Sequence, residues 1–397
     1  MPLSEAAQES AIRRLSFAAF CSAIALRMCD PLLPQLAADF STSTGQAAHV
    51  IAYFSVAYGL MQACYGPLGD RQGKFRVITF ATLASTLGAL GAAFSTSLDW
   101  LVVSRVVSGA TTAGIIPLSM AWIGDNIPNE RRQATLARFL SGQILGMVVG
   151  QFAGGLFADT LGWRWAFLLL AAFYVAVGAF LFAELQHNRD IDRPEIAPAV
   201  AGGRLKLWTQ FHNVLRMTWP RYVLLAVFLE GLLVFGAFAF VPSYLHKRFG
   251  VSLTGAGAIF AIYGLGGLSY TLVTRRLVAL LGERGLALNG SALLSAAFIM
   301  FLFGPSWHWA MPASFLSGLG FYMMHNTLQT NATQMAPATR GTAVSLFASC
   351  FFLGQAAGVG IAAIIVDQAG ASWLFGIAAV AVPVIGAGFA YVLRFRE

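Results

Sequence analysis

Four titratable side chains interrupt long apolar stretches of this sequence and are the first candidates for chemistry: Arg27, Asp30, Glu230 and His325. An ionised group is costly in hydrocarbon, and a carboxyl group held away from water can bind a proton near neutral pH. Glu230 has no basic residue nearby in the sequence, so we expect it to carry a proton. Asp30 is the second candidate, because Arg27 lies three residues earlier and should keep it ionised. The alternatives are a structural Arg27–Asp30 ion pair and a hydrogen-bonded structural role for Glu230.

Further polar side chains within apolar stretches are candidates for contact with a small molecule or for hydrogen bonding between helices: Tyr53, Tyr58, Gln62, Asn326 and Gln329. We expect them to line one central cavity together with Arg27, Asp30, Glu230 and His325. His325 can titrate near physiological pH, and it shares a helix face with Gln329. The sequence contains no metal-ligand spacing and no nucleophile–base arrangement. We therefore expect no metal, no cofactor and no catalytic residue, and the pattern argues against an enzyme.

The composition places these residues in a membrane. Of 397 residues, 57% are apolar and 11% are charged, and the mean hydropathy is +0.69; a soluble protein carries about 25% charged residues. A helix needs about 20 residues to cross roughly 30 Å of hydrocarbon. Twelve apolar stretches are predicted as transmembrane helices: 15–38, 46–68, 76–98, 100–124, 134–157, 163–184, 222–245, 253–274, 285–304, 309–331, 341–365 and 373–393. The predicted fold class is an all-α polytopic membrane protein.

The distribution of basic residues predicts the orientation. Of 25 Lys and Arg, three lie in loops on one side (Arg164, Lys247 and Arg248) and two lie within spans (Arg27 and Arg105), which leaves twenty on the side of both termini. By the positive-inside rule, both termini should be cytoplasmic, in a cell (inner) membrane. The net charge of +8 then faces anionic membrane lipid, and we expect no nucleic-acid partner.

An internal repeat predicts two bundles of six helices, 1–184 and 222–397. Residues 128–134 match residues 337–343 at an offset of 209. At an offset of 208, the matching pairs are Gly146 with Gly354, Gly150 with Gly358, Asp159 with Asp367 and Trp165 with Trp373. Two units of the same orientation, related by an axis along the membrane normal, are typical of transporters that rock around a central site. We expect the chain to act as a monomer.

The polar stretch 185–221 separates the two bundles. Its first part is rich in Pro and Gly and predicts a flexible cytoplasmic linker. Its second part places Trp208, Phe211 and Leu215 at helical spacing opposite basic residues, which predicts an amphipathic helix on the membrane surface.

Three groups of residues carry a family resemblance. They are the loop Gly66-Pro-Leu-Gly-Asp70-Arg71-Gln-Gly73-Lys74-Phe-Arg76; Leu101, Arg105 and Gly109; and Gly146, Gly150, Gly154 and Gly155. Together they resemble the signature motifs of the major facilitator superfamily, and the third group is similar to the glycine motif of its proton-antiporting drug exporters. Gln151 stands where that motif has proline, and Phe75 where the loop usually has a second basic residue.

The resemblance implies a conformational gate built from the residues Gly66, Asp70, Arg71, Gly73, Lys74, Arg105, Gly146, Gly150, Gly154 and Gly155. It implies that Asp70 holds the two bundles together in the outward-facing state through charge and helix-dipole contacts. Glycines four residues apart let helix backbones approach closely, which suits a surface that slides or bends. Anchoring of the loop at lipid headgroups and plain close packing are the alternatives. Arg105 lies near the outer end of its span, where its side chain should extend toward the membrane surface.

These observations predict a secondary active transporter that exports small organic molecules in exchange for protons. Its partners would be a small-molecule substrate, protons and membrane lipid. The alternative is proton-coupled uptake of a metabolite or of an organic anion held by Arg27 and His325. A receptor-like sensor and an intramembrane enzyme are further alternatives from other functional classes.

Overall fold

The computed structural model describes residues 4–188, 191–192 and 203–395, and within them the chain forms helices joined by short turns without a β-strand. The first half contains α1 (Glu5–Arg27), α2 (Leu33–Asp39), α3 (Thr44–Ala47), α4 (His49–Gln72), α5 (Lys74–Ala93), α6 (Leu98–Thr112), α7 (Ile115–Asn126), α8 (Asn129–Asp159) and α9 (Trp163–His187). Next come α10 (Gly203–Arg216), α11 (Thr218–Glu230), α12 (Gly236–Phe238), α13 (Val241–Phe249), α14 (Leu253–Phe303), α15 (Ala310–Gln334), α16 (Arg340–Gln368) and α17 (Ala371–Val392). We call the part from Thr218 onward the second half.

Each predicted span falls on one helix or on consecutive helices. Within the described residues, nine helical segments are long and apolar enough to cross a membrane. One of them, α14, has 51 residues and contains two predicted spans, with non-helical backbone at Gly282 (φ 61°, ψ 179°) between them. Helices α1 and α15, which carry Arg27 and His325, are not among these nine segments because they are less apolar. Twelve membrane crossings remain a prediction.

The first predicted span is interrupted near its middle. α1 ends at Arg27, residues 28–32 form turns, and α2 begins at Leu33. Pro31 lacks the N–H group that a continuous helix needs, and Pro34 lies in the first turn of α2, where proline is tolerated. Asp30 therefore lies in a turn inside the bundle rather than on the face of a regular helix.

The internal repeat is visible in how helices pack. Gly146 and Gly150 of α8 lie against the backbone of Phe20 and Ile24 of α1, with no room for a Cβ atom. Gly354 and Gly358 of α16 lie in the same way against the backbone of Phe228 and Leu232. The offset of 208 relates the glycines and also relates their partners, so the same close helix pair is built twice.

The linker packs against both halves. Trp122 donates its indole N–H to the carbonyl of Ile191, and Thr342 donates its hydroxyl to Gln210 of α10. α10 forms a helix in the part of the linker where we predicted one. The placement predicted for the side chain of Trp208 lies outside the described residues.

Candidate functional site

Glu230 and His325 form a pair in which the carboxyl group is buried and the imidazole side chain is 16% exposed. Glu230 ends α11 and is 0% exposed, and its Oε2 is hydrogen bonded to Nδ1 of His325 at 2.7 Å. Its second oxygen, Oε1, is buried without a hydrogen-bond partner among the described residues. The two residues are 95 positions apart, so the sequence indicated no basic neighbour for this carboxyl group. The local signal for this site was an ionisable side chain within each of two predicted spans, 222–245 and 309–331.

The backbone next to Glu230 is a π-helix, Gly231–Phe235. Such segments are rare and are frequently found at functional sites, since the wider turn redirects side chains. Gly231 packs against the backbone of Phe351 and Gln355, where a Cβ atom would not fit. The close approach of α16 and the wide turn together orient Glu230 toward His325 of α15 and place the Phe235 ring next to Arg27 of the first half.

Aromatic rings surround the imidazole of His325. It stacks on Phe321 with ring centroids 4.8 Å apart, and the centroids of Phe351 and Phe347 lie at 4.9 and 5.4 Å. An apolar enclosure of this kind lowers the local dielectric constant and strengthens the electrostatic interaction within the pair.

Arg27, Asp30 and Gln151 form a second buried group. Arg27 Nη1 lies 3.5 Å from Asp30 Oδ2, and Gln151 Nε2 of α8 donates to the same oxygen at 2.7 Å. Asp30 is 0% exposed, and its Oδ1 has no hydrogen-bond partner among the described residues. The predicted ion pair is present. Its link to Gln151, 121 positions away, was not predicted.

A layer of aromatic rings separates the two buried groups. The guanidinium carbon of Arg27 lies 4.1 Å from the centre of the Phe235 ring. Phe235 contacts Phe321 and Phe351, with centroids 5.0 and 5.1 Å away, and both of these rings contact His325. A small cavity of about 20 Å³ lies beside Arg27, Gln151 and Phe235, which is enough for one water molecule.

Arg105 does not extend toward the membrane surface, contrary to our prediction. Its side chain is buried, at 1% exposure, and it donates to the carbonyls of Ala25 (2.8 Å) and Val50 (3.3 Å). Its guanidinium also lies 4.0 Å from the centre of the Phe54 ring. Ala25 is in the last turn of α1, where carbonyl groups lack helical donors. The break after Arg27 thus supplies a reason for a buried arginine.

The remaining predicted cavity residues do not all come together. Tyr58 and Gln62 are buried on one face of α4, and the Tyr58 ring lies 4.3 Å from that of Phe352 in the second half. Tyr53 is 49% exposed and lies on the opposite face of α4, so we remove it from the proposed site. Asn326 is half-buried and Gln329 is exposed.

Ser55 and Gln355, which we did not predict, hydrogen bond across the two halves at 3.0 Å.

Two carboxylates join the halves at one end of the bundle, which we call the latched end. Asp159 of α8 accepts from the backbone N–H groups of Leu253 (3.2 Å) and Thr254 (2.6 Å) at the start of α14. Asp367 of α16 accepts from the N–H of Gly45 at 2.9 Å, at the start of α3. Gly45 and Leu253 are 208 residues apart, as are the two aspartates. Helix N-terminal N–H groups stabilise carboxylates, so each half closes on the other by the same contact.

The loop with Asp70 lies at the opposite end. Lys74 bridges Asp70 (3.3 Å) and Asp125 (2.7 Å), all within the first half. In the described part of the chain, no ion pair or hydrogen bond joins Asp70 to the second half, and a Cβ at Gly66 or Gly341 would meet open space. The contact between halves that the resemblance implied for Asp70 is therefore not made in this conformation, because the halves meet at the latched end instead.

Gly73 has a structural role in this loop. Its φ of 94° disfavours other residues, and the carboxyl group of Asp192 occupies the space a Cβ would take. Asp192 accepts from the backbone N–H groups of Phe75 (3.0 Å) and Arg76 (2.7 Å) at the start of α5. Burial raises the pKa of Asp192 above its usual range, while these two donors act in the opposite direction. Asp192 of the linker thus holds the loop in place through the start of α5.

Comparison with known proteins decides the family. Residues 15–359 match the sequence model of the Major Facilitator Superfamily. The chain belongs to this superfamily. The match therefore classes it with multi-pass membrane transporters rather than with enzymes, and its helices have the major facilitator fold.

The similar curated proteins of this superfamily include drug exporters. The chain is 24% identical over 333 residues to the multidrug export protein EmrB of Escherichia coli K12, covering 72% of this chain and 64% of EmrB. It thus spans less than two thirds of the length of that relative. It is also 23% identical over 342 residues to the uncharacterized MFS-type transporter YceJ of Bacillus subtilis 168, covering 84% of each protein.

Solved structures with the same fold include transporters of different named substrates. The peptide transporter POT in complex with sulfate has a TM-score of 0.77 at 16% identity, with 97% of this chain and 94% of that chain covered. The nucleoside transporter NupG has a TM-score of 0.74 at 13% identity, with 96% and 97% covered. These superfamily members share the fold and do not identify a substrate.

Proposed function

We propose that this transporter exports small organic molecules from the cytoplasm in exchange for protons, by alternating access. The observation that carries the proposal is the buried Glu230, with one oxygen hydrogen bonded to His325 and the other without a described partner. Gain or loss of a proton by such a carboxyl group changes the local charge in a site that water screens only weakly. That change gives a proton gradient a means to act on the helices.

The Glu230–His325 pair offers two places for a proton, Oε1 of the carboxyl group and Nε2 of the imidazole. Protonation of Glu230 removes the ionic part of its attraction for the imidazole. The adjoining π-helix, Gly231–Phe235, then moves relative to α15 and α16. Each proton that crosses a potential of 100 mV releases about 2.3 kcal/mol, which is sufficient to drive a useful substrate gradient.

The two ends of the bundle provide the alternating gates of this proposal. If both termini are cytoplasmic, the latched end with Asp159 and Asp367 is the outer end, and this conformation is the one closed toward the outside. Transport then requires both carboxylate contacts to open while the Asp70 loop closes on the start of α16. The paired glycines of α8 and α16 form the surfaces on which these helices slide.

The side chains around the site favour lipophilic cations or zwitterions as substrates. The rings of Phe235, Phe321 and Phe351 supply apolar and cation-binding faces, while Glu230 supplies negative charge when it is ionised. Arg27 is already paired with Asp30 and stacked on Phe235, which disfavours it as the binding group for an organic anion. The name of EmrB, a multidrug export protein, is consistent with a broad substrate range.

The test is flux in proteoliposomes under an imposed pH gradient, with the fluorescent cation ethidium as substrate. We expect wild-type protein to move ethidium against the proton flow. Glu230→Gln keeps the shape and a hydrogen-bonding oxygen but cannot take up a proton, so it should bind ethidium and lose the response to the gradient. Unchanged coupling in Glu230→Gln would remove Glu230 from the mechanism.

The matched control is Glu184→Gln. Glu184 is also buried and ion paired, with Arg14 at 2.6 Å, but it lies outside the proposed site. This variant should retain coupling. Substrate movement in the same direction as the proton would favour uptake over export, and binding without flux would favour a sensor.

A further inference from the structure

A groove between α1 and α8 lies outside the candidate site. It encloses about 790 Å³, and its deeper part is apolar, with Phe17, Phe20 and Leu145. Phe17 is 61% exposed, on a face of α1 that helices of the second half do not cover. Leu145 lies on the same side of α8 as Phe152 and Leu156, which are also exposed. The groove therefore opens toward the membrane lipid rather than toward the centre of the transporter.

Two arginines face this groove at the same depth. α1 and α8 run in the same direction, because Gly142, Gly146 and Gly150 lie successively along α1 from Ser16 to Ile24. Arg13 precedes Ser16 by three residues and Arg138 precedes Gly142 by four, which places them about 4.5 Å and 6 Å from that contact at 1.5 Å per residue. Both line the groove from opposite walls.

The arginines are free to bind an anion. Neither Arg13 nor Arg138 makes a hydrogen bond or an ion pair with the described residues. The other charges lie nearer the helix ends: Glu9, Glu130, and Arg131, which pairs with Glu5 at 3.1 Å. The groove thus has a charged rim, a pair of guanidinium groups inside it and an apolar floor.

A second apolar groove continues from the first. It encloses about 290 Å³ between α1 and α9, shares Phe17 and Phe20 with the first, and is otherwise lined mainly by Phe173, Val177 and Phe180. Phe17 and Phe20 therefore lie between two adjoining grooves, one on each side of α1, whose apolar walls suit lipid acyl chains. A molecule with one anionic head and two hydrocarbon chains matches this arrangement.

We propose that the grooves on either side of α1 bind one anionic phospholipid, with its phosphate between Arg13 and Arg138. The lipid comes from the leaflet that contacts the N-terminal ends of α1 and α8. Basic pockets between transmembrane helices bind anionic headgroups in this way, and arginine suits phosphate because its planar group donates two parallel hydrogen bonds. Because α1 carries Arg27 and α8 carries Gln151, a lipid that bridges these helices also steadies the Arg27–Asp30–Gln151 group.

Native mass spectrometry of the detergent-purified full chain tests this site. The protein is titrated with phosphatidylglycerol and, separately, with phosphatidylcholine of the same chain length. We expect wild type to retain phosphatidylglycerol preferentially. Arg13→Gln/Arg138→Gln should weaken the binding of the first phosphatidylglycerol roughly 30-fold, from the usual effect of two basic side chains on anionic lipid. Phosphatidylcholine binding should change little.

The control variant is Arg275→Gln/Arg276→Gln, which removes two exposed arginines from the second half. It should bind phosphatidylglycerol as wild type does. Arg13 and Arg138 are also exposed, so their replacement should leave the thermal unfolding of the lipid-free protein unchanged. If the glutamine variant unfolds, Arg13→Lys/Arg138→Lys provides the comparison. It should bind phosphatidylglycerol more weakly than wild type does, but more tightly than it binds phosphatidylcholine. Phosphatidylglycerol binding by Arg13→Gln/Arg138→Gln that equals that of wild type would overturn the proposal. An equal loss of binding in Arg13→Gln/Arg138→Gln and in the control Arg275→Gln/Arg276→Gln would also overturn it.

Discussion

Arg27 and Phe235 lie 208 residues apart, at equivalent positions of the internal repeat, and the guanidinium carbon of Arg27 lies 4.1 Å from the centre of the Phe235 ring. The same offset relates Asp30 to Phe238. One half therefore presents charged groups where the other half presents aromatic rings. The helices pack by the same contacts in both halves, but the central residues have diverged so that one half complements the other.

We expect Phe235→Leu to destabilise the latched conformation. Leucine preserves the apolar contact but removes the ring beneath Arg27, and a cation–π contact shielded from water contributes about 2 kcal/mol, or roughly a 30-fold change in population. Spin labels at the exposed positions 161 and 373, one in each half, should show longer distances in this variant. Phe303→Leu, at an exposed ring, is the control and should leave the distances unchanged. An unchanged distance distribution in Phe235→Leu would contradict this prediction.

His325 should stabilise the fold through Glu230. In His325→Phe, the carboxyl group of Glu230 loses its only described hydrogen-bond donor, and a buried polar group left unpaired costs about 1–3 kcal/mol. In His325→Gln, the side-chain amide can still donate to Glu230. Thermal unfolding in detergent should therefore show a clearly lower midpoint for the phenylalanine variant than for the glutamine variant. Equal midpoints would show that this hydrogen bond contributes little to stability.

The two carboxylate contacts at the latched end should act independently and to a similar extent. Asp159→Asn and Asp367→Asn each remove a negative charge from a helix N-terminus, an effect of about 0.3–1 kcal/mol for exposed carboxylates such as these. Each should shift the protein toward opening at that end, and the double variant should show nearly the sum, since the two contacts share no residue. The label pair at 161 and 373 measures this opening. Asp99→Asn, an exposed aspartate, is the control, and an equal shift there would indicate a general charge effect.

Two glycines of α16 should differ sharply in their tolerance of alanine. A Cβ at Gly358 would meet the backbone of Leu232, whereas a Cβ at Gly360 would meet open space. Gly358→Ala should destabilise the protein by about 1–3 kcal/mol through overpacking. Gly360→Ala should leave stability unchanged or raise it by up to about 1 kcal/mol, because alanine favours helix. Thermal unfolding distinguishes them, and a comparable loss at both positions would mean that helix contact is not the cause.

The membrane class, the helices and the repeat could be predicted from the sequence because they depend on local properties. Hydropathy over about 20 residues reports whether a segment suits lipid. The offset of 208 places Gly146 and Gly354 in register without knowledge of their partners. The motif residues around Asp70 were sufficient to suggest the superfamily. The polar residues Arg27, Asp30, Glu230 and His325 were also recognisable, because an ionisable side chain in an apolar stretch is conspicuous.

The partners of those residues depend on tertiary structure. Glu230 meets His325 across 95 positions and Asp30 meets Gln151 across 121, and no local pattern encodes such pairs. Arg105 is buried rather than extended because the broken end of α1 presents carbonyl groups to it. Tyr53 and Tyr58 are both aromatic and close in sequence, yet only Tyr58 faces the second half. Local sequence specifies which segments become helices, but only their packing determines which faces meet, and in a protein of two halves that packing also determines which end is closed.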